Sequence, residues 1–377
     1  MTQSGYGVHC RQVARWLLNK ENVDVKFNIL PWGDTPWLID ENLYDGLIGK
    51  IMKKTVDNNY KADVSLQLQL PNEWDPNAAS YNVGITAGVE TDRCNPDWIK
   101  ACNLMDRLIV PSSHVLNCFK NTGGIEKPVS IIPESYVDQI DSKKDDLPLL
   151  PNFSTNFNFL IFGQLTGNNP YNDRKNIFFT IKWICETFKD DADVGIIIKT
   201  NAGRNTKIDR NIIKGLLEGV LMECRKGPYP RVHLLHGDMN DSEVASLYQH
   251  PQVKAMVSLT RGEGFGLPIL EAAASALPII ATDWSGHTDF MKLGKYIGVQ
   301  YQLSEIHQTR VDDKIFIKGS RWAQASEEDF KKRLIKFRNS SSTPKEWAIE
   351  LSEKIKNEYS FSSISKKYDD VLGDVIS

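Results

Sequence analysis

The sequence predicts an α/β protein of two Rossmann-like, doubly wound domains facing each other across a cleft. Three observations carry this. Short apolar segments of strand length alternate with helical ones along most of the chain, the pattern of parallel sheets with crossover helices. The alternation stops over residues 138–156, where Asp141-Ser-Lys-Lys-Asp-Asp-Leu-Pro is charged and proline-bearing, and then restarts. A loop with three glycines follows one of the later strands, at the end of the sheet where open α/β folds bind ligands.

In order, Val8–Asn19 reads as a helix from its apolar spacing, and Val25–Leu30 as a strand stopped by Pro31. Val64–Leu70 and Tyr81–Thr86 are strands, and Asp97–Met105 is a helix opening near Pro96. Leu108–Val110 is a short buried strand, Ser112–Phe119 a helix with Ser112 as N-cap, and Val129–Ile132 a strand. After the linker come strands Phe157–Phe162, Val194–Lys199, Val232–Leu235, Lys254–Leu259 and Ile279–Ala281. Helices Asn176–Phe188, Asp209–Glu223, Ser242–Tyr248 and Pro268–Ala276 separate them, and Glu346–Ile376 is an amphipathic helical tail interrupted at Ser360-Phe-Ser. The expected organisation is a first domain over 1–145, a second over 146–350 and a helical tail over 351–377 that returns to the first.

At 377 residues the chain is long enough for two or three domains at ~150 residues each. Hydrophobic residues make up 41% and charged ones 25%, which excludes a disordered or fibrous chain. The net charge of −3 gives no strong nucleic-acid signal. The six cysteines form no C-x-x-C pair and read as scattered reduced thiols. With no ~18-residue apolar run and no signal peptide visible, a cytoplasmic location is expected. The helix Arg11-Gln-Val-Ala-Arg15-Trp-Leu-Leu offers at most a peripheral membrane contact.

The chemistry concentrates in Thr260-Arg-Gly-Glu-Gly-Phe-Gly-Leu-Pro-Ile-Leu-Glu271. A strand ends near Leu259, and Pro268 fits the first position of the next helix, where a missing N–H costs nothing. Backbone N–H groups of Gly264, Phe265 and Gly266 then cluster near a helix N-terminus, which favours phosphate. Glu263 and Glu271 bracket the loop, and a carboxylate accepts hydrogen bonds from vicinal sugar hydroxyls. The same residues also suit a closely packed, capped helix.

Glu263 and Glu271, with seven residues between them and Gly-Phe-Gly-Leu-Pro inside, resemble the E-x7-E element of retaining glycosyltransferases of family four (glycosyltransferase group 1), which have the GT-B fold. Pro278-Ile-Ile-Ala-Thr-Asp-Trp-Ser-Gly, Ile109-Val-Pro-Ser-Ser, Ser4-Gly-Tyr-Gly and Phe361-Ser-Ser-Ile-Ser-Lys-Lys-Tyr resemble further segments of that family. The resemblance implies a nucleotide-diphosphate sugar as donor substrate, held mainly by the second domain. No separate cofactor is expected, and no protein-bound metal, since no credible ligand cluster is visible and Lys and Arg lie near the loop. It implies that Glu263 meets the sugar hydroxyls, Glu271 the ribose, and the Gly264–Leu267 backbone the sugar and phosphate. The family places an Arg and a Lys after the first strand of that domain. Here Gln164 stands where the arginine is expected, and an insertion from Thr166 to Asp173 leads to Arg174 and Lys175, the expected phosphate cations. Lys199 and Arg261 are further candidates. Gly5 and Gly7 resemble the family's N-terminal glycine loop; the strand that precedes that loop in the family is either absent here or lies ahead of where this sequence begins. Glu90, Thr91 and Asp92 are acceptor-side candidates, in a region where many family members have a histidine and this chain has none. His114 reads as a packing histidine.

Other signals are weaker. Asp191-Ala-Asp193 matches a D-x-D metal motif but lies in a helix-to-strand turn, and His233 and His236 fall on opposite faces of a strand. No G-x-S-x-G elbow is present. The expected function is a retaining glycosyltransferase with an unidentified acceptor. The alternatives are a nucleotide-sugar epimerase or phosphorylase of the same architecture, or a catalytically degenerate binding protein.

Overall fold

The structure, a computed structural model, describes residues 1–30, 35–57, 60–165, 169–201, 203 and 205–376. Pro31 and the first three residues of the expected insertion, 166–168, lie outside the described residues.

The chain opens on α1 (Gly5–Leu18), capped by Ser4 Oγ accepting from Gly7 N at 3.1 Å. After α2 (Leu47–Lys53) come β1 (Ala62–Leu68), β2 (Ala79–Ile85), α3 (Pro96–Cys102), β3 (Arg107–Val110), α4 (Ser113–Thr122) and β4 (Val129–Ile131). Their four strands form a parallel sheet in the order β1-β2-β3-β4. Ser112 caps α4, its Oγ accepting from Val115 N, and Asn95 caps α3 ahead of Pro96.

The second sheet is built from β5 (Phe157–Phe162), α5 (Ile177–Thr187), β6 (Val194–Thr200), α6 (Lys207–Cys224), β7 (Arg231–His236), α7 (Asp241–Tyr248), β8 (Val253–Ser258), α8 (Leu267–Ala274), β9 (Ile279–Thr282), α9 (Thr288–Met291) and β10 (Ile297–Val299). Its six parallel strands run β10-β9-β8-β5-β6-β7. The chain therefore starts in the middle, winds to one edge, returns and winds to the other. The topological switch point lies between β5 and β8, where a ligand crevice forms beyond the carboxyl ends of the strands. Every residue of β6 is buried, and in β5 all but Phe162, as expected of a sheet covered on both faces.

A hairpin of β11 (Tyr301–Glu305) and β12 (Arg321–Ala325) follows, then α10 (Glu327–Asn339), α11 (Ser342–Tyr359) and α12 (Phe361–Leu372). The last helix lies against α1. Trp16 stacks on Tyr368 with centroids 4.8 Å apart, its Nε1 donates to Asp369 Oδ1 at 2.8 Å, and His9 Nε2 meets the Tyr368 hydroxyl at 3.1 Å. The hairpin crosses to the first sheet as well: Ile306, Phe316 and Trp322 share a core with Trp74, Trp98 and Phe119.

One expected strand does not form. Val25–Leu30 makes a single parallel bridge, Phe27 to Thr55. Its alternation of Val25, Phe27 and Ile29 suits a strand, but without a neighbouring strand to complete the ladder it is only an extended segment. The hairpin, α2, α9, β10 and α10 carry no expectation from the sequence.

Candidate active site

A cleft of about 1170 Å³ opens at the switch point. One wall is a face of α1, including Gly5 and Arg11; the other carries Gln164, Arg174, Lys175, Lys199 and Glu271. Gly7 lies one turn into α1, where a Cβ would collide with the Thr2 carbonyl, so this helix start requires glycine.

Glu263, 6% exposed, is held between two cations. Lys175 Nζ donates to Oε1 at 2.6 Å and Arg174 Nη1 to Oε2 at 3.1 Å. Arg174 also donates to the Gly262 carbonyl at 2.8 Å, and its Nε lies 3.3 Å from Glu90 Oε1. Burial alone would raise the Glu263 pKa, but the two cations bring it down to about 2, so it is a carboxylate at any working pH. Burial lowers the Lys175 pKa, because one carboxylate shared with a neighbouring guanidinium does not offset its desolvation. Arg174, facing two carboxylates, is raised in spite of its burial. The residues that bring Lys175 here are fixed from below: Asp173 accepts from the backbone N–H groups of Lys175 and Ile177 at 2.9 and 2.6 Å, and Asn176 turns the chain into α5 at φ +56°.

Glu271, 7% exposed, lies on α8 and lines the cleft. It accepts a hydrogen bond from the Tyr248 hydroxyl at 3.3 Å. Burial, with Asp241 and Glu134 adding like charge, pushes its pKa up to about 8. At neutral pH it is a protonated acid that can both donate to and accept from a hydroxyl. The two carboxyls of the E-x7-E element thus differ in charge state.

The glycine loop is packed rather than open. A Cβ on Gly264 would fall on the Ala87 carbonyl and one on Gly262 on the Glu90 carbonyl, so both glycines are what lets the first half of the chain approach. Ser112 Oγ donates to the Gly264 carbonyl at 2.5 Å across the same contact. Phe265 is buried against Phe290 and Tyr359, Gly266 takes a left-handed conformation at φ +98°, and α8 begins at Leu267, one residue before Pro268. Of Gly264, Phe265, Gly266 and Leu267, the structure puts Leu267 on the cleft wall.

Lys199, next to last in β6, donates to Asn201 Oδ1 at 2.5 Å and the Gly237 carbonyl at 2.6 Å, and burial lowers its pKa to about 8. Arg261 sits behind the cleft, 1% exposed, with Nη1 donating to the Tyr171 carbonyl at 2.7 Å and its guanidinium 5.2 Å from the Trp322 ring. It braces the segment leading to Arg174. Of the acceptor-side candidates, Glu90 faces Arg174, whereas Thr91 Oγ1 donates to the Arg93 carbonyl at 2.8 Å. Asp92 accepts from Arg321 N and Nε at 2.6 and 2.8 Å, joining the first half to the hairpin. Asp191 and Asp193 both pair with Arg338, at 3.0 and 3.2 Å, which accounts for the D-x-D sequence without a metal. Among the described residues no group of three or more His, Cys, Asp or Glu is placed to hold a metal ion, and no helix is long and apolar enough to cross a membrane.

Sequence reasoning missed Arg310 and Asp241, which also line the cleft, and Tyr248 behind Glu271. Asp241 opens α7 behind the N-cap Asn240, a capping signal present in the sequence. Nothing local to Arg310 marks it.

Residues 227–347 match the family described as glycosyl transferases group 1. A stretch of 168 residues is 27% identical to a probable sucrose-phosphate synthase of Thermosipho melanesiensis, covering 44% of this chain and 35% of that protein. The chain thus spans about a third of the length of that curated relative. Among solved structures, the trehalose-6-phosphate synthase OtsA superposes with a TM-score of 0.54 at 9% identity, covering 78% of this chain and 67% of that one. Sucrose-phosphate synthase from Thermosynechococcus elongatus gives 0.53 at 11% identity, covering 83% and 73%. Anabaena HepE, solved in complex with UDP and glucose, gives 0.53 at 14%, covering 78% and 72%. The fold is GT-B, with two Rossmann-like units, and the group 1 match contains both Glu263 and Glu271.

Proposed function

We propose that this GT-B chain is a retaining glycosyltransferase, cytoplasmic and independent of a bound metal, that moves a sugar from a nucleotide-diphosphate donor to an acceptor hydroxyl or amine. The observation that carries the reading is Glu263, kept ionised between Lys175 and Arg174 beside the switch-point cleft, with neutral Glu271 on the same wall. Glu271 suits the ribose hydroxyls, as acceptor and donor at once. Lys175 and Arg174 suit the diphosphate, whose leaving oxygen gains negative charge as the glycosidic bond breaks. Glu263, released from part of its ion pairing when the phosphates arrive, suits the sugar hydroxyls. In this scheme the bond from the anomeric carbon to the phosphate oxygen breaks, the bond to the acceptor forms on the same face, and the acceptor proton passes to the leaving phosphate.

The test is incubation with a panel of nucleotide-diphosphate sugars, following donor loss by chromatography and the anomeric configuration of product by NMR. Slow donor hydrolysis that disappears in Glu263→Ala supports the reading. Tight nucleotide binding with no turnover of any donor would leave the degenerate binding protein, the reading that Gln164 at the arginine position favours.

A further inference from the structure

The proposed diphosphate site is short of charge. Its two cations, Arg174 and Lys175, already face two carboxylates, Glu263 and Glu90, so the cluster is formally neutral. Gln164, on the cleft wall at the end of β5, adds none. A diphosphate entering there gains little from a neutral cluster, because every cation turned towards it leaves a buried carboxylate less well paired.

Arg310 lines the same cleft and comes from a different element, the connection between β11 and β12. Its side chain is 33% exposed and its guanidinium rests 3.8 Å from the centroid of the Phe316 ring, which fixes its plane while leaving N–H edges available. Its carboxylate neighbour Asp312 pairs with it loosely, Oδ2 standing 3.7 Å from Nη1, while the other oxygen, Oδ1, accepts from the backbone N–H groups of Lys314, Ile315 and Phe316 at 2.8–3.0 Å. Arg310 is close enough to Glu90 and Arg174 to feel both charges. The residue before it ties the two elements together: Asn169 Nδ2 donates to Thr309 Oγ1 at 3.1 Å and Asn172 Nδ2 to the Thr309 carbonyl at 3.2 Å. Tyr171 stacks on His307, with centroids 5.7 Å apart. The segment that delivers Arg174 and Lys175 is thereby held in register with the one that delivers Arg310.

We propose that Arg310 binds the donor diphosphate, supplying from the β11–β12 connection the positive charge that Gln164 does not supply from β5. The inference rests on the donor reading above and adds a residue to it. Two neighbouring guanidinium groups repel each other until an anion bridges them, so the Arg174–Arg310 pair favours a ligand of two or more negative charges.

The probes are inorganic pyrophosphate and UDP, titrated calorimetrically into the full chain at low ionic strength, where exposed charges are least screened. Arg310→Gln should weaken both by about tenfold or more, the scale of a lost charge-assisted hydrogen bond. Asp312→Asn keeps an oxygen for the three backbone donors but removes the competing charge, so it should tighten pyrophosphate. If Arg310 only scaffolds its loop, both substitutions would weaken binding or neither would matter, and either result overturns the proposal. Lys175→Ala separates the two levels of the argument. Pyrophosphate binding lost in Lys175→Ala but unchanged in Arg310→Gln discards Arg310 and keeps the donor site. Wild-type protein that binds neither probe discards both.

Discussion

Lys175 Nζ lies 2.6 Å from Glu263 Oε1, so the ammonium assigned to the leaving phosphate and the carboxylate assigned to the sugar are each other's counter-ion. Removing either partner has a catalytic and a structural effect, and the two are separable. Lys175→Ala should lower turnover about a hundredfold to a thousandfold, the usual cost of one electrostatic donor to a developing charge. Glu263→Gln leaves Lys175 and Arg174 without their shared carboxylate and should cost roughly 2–3 kcal/mol of stability, discounted for the partial exposure of both cations. Denaturant unfolding at pH 7 measures the second effect, and saturating-donor kinetics the first.

That stability term has a definite pH dependence. The Glu263 pKa is depressed from 4.5 to about 2, so its contribution is fully present above about 4.5 and is lost as pH falls towards 2. The difference in unfolding free energy between wild type and Glu263→Gln should therefore be constant from pH 8 to 5 and begin to close below about 4.5. A difference unchanged down to pH 3 would mean that Glu263 is not ion-paired.

Glu271 predicts the opposite slope. Its folded pKa, about 8, lies above the 4.5 of the unfolded chain, so between those values the folded protein binds more protons. Stability then falls as pH rises through that window. Glu271→Gln keeps an acceptor for the Tyr248 hydroxyl and removes the titration, so its melting temperature should exceed wild type at pH 8–9 and match it near pH 5. Some slope remains in the variant, because burial also raises Glu134 to about 8. Glu271→Ala should weaken nucleoside diphosphates tenfold to a hundredfold, measured calorimetrically, since in the proposed site it removes the group set against the ribose hydroxyls.

The second sheet was legible in the sequence because its strands are continuous apolar runs, such as Phe157–Phe162 and Val194–Lys199, separated by helices of ordinary length. The E-x7-E element was legible because its residues are adjacent in the chain. What brings Glu263 to Lys175 is not local: 88 positions separate them, and only the switch point of the sheet closes that distance. The hairpin escaped notice because β11 is mostly exposed and lacks the burial alternation that marks a strand. Its function as a bridge depends on Phe316 and Trp322, which pack into the core of the other half. The start of α10 carried a readable signal, Ser326 ahead of Glu327, Glu328 and Asp329, that the alternation of strands and helices did not call on.

The bridge itself is testable through Asp92, which accepts two hydrogen bonds from Arg321. Arg321 is half exposed, which limits the value of the ion pair, but Asp92 is buried and also satisfies a backbone N–H. Asp92→Ala should cost about 1–2 kcal/mol and increase hydrogen exchange in residues 306–321 while leaving α5 and β6 protected. Uniform loss of protection across both sheets would mean that the hairpin is not an independent brace.

Glycines give the sharpest contrast, because the same substitution should have opposite signs at two places. Gly215 and Gly219 lie inside α6, and a Cβ on either meets nothing within 4 Å. Alanine there removes unfolded-state entropy and improves helix propensity at no steric cost, so each change should stabilise by about 0.5–1 kcal/mol. Gly262 and Gly264 have helix-free backbone pressed against the carbonyls of Glu90 and Ala87 in the other half of the chain. Those obstacles are main chain, not flexible side-chain ends, so alanine must push the halves apart. Gly264→Ala should cost about 3 kcal/mol, in the range of overpacked cores, and loosen the Ser112 hydrogen bond to the Gly264 carbonyl. Adding Ser112→Ala to Gly264→Ala should then cost less than Ser112→Ala does in the wild type, the remaining cost being the lost N-cap of α4, and that non-additivity in denaturant melts is the check. Fully additive costs would place the strain of Gly264→Ala within its own loop rather than at the junction of the two halves.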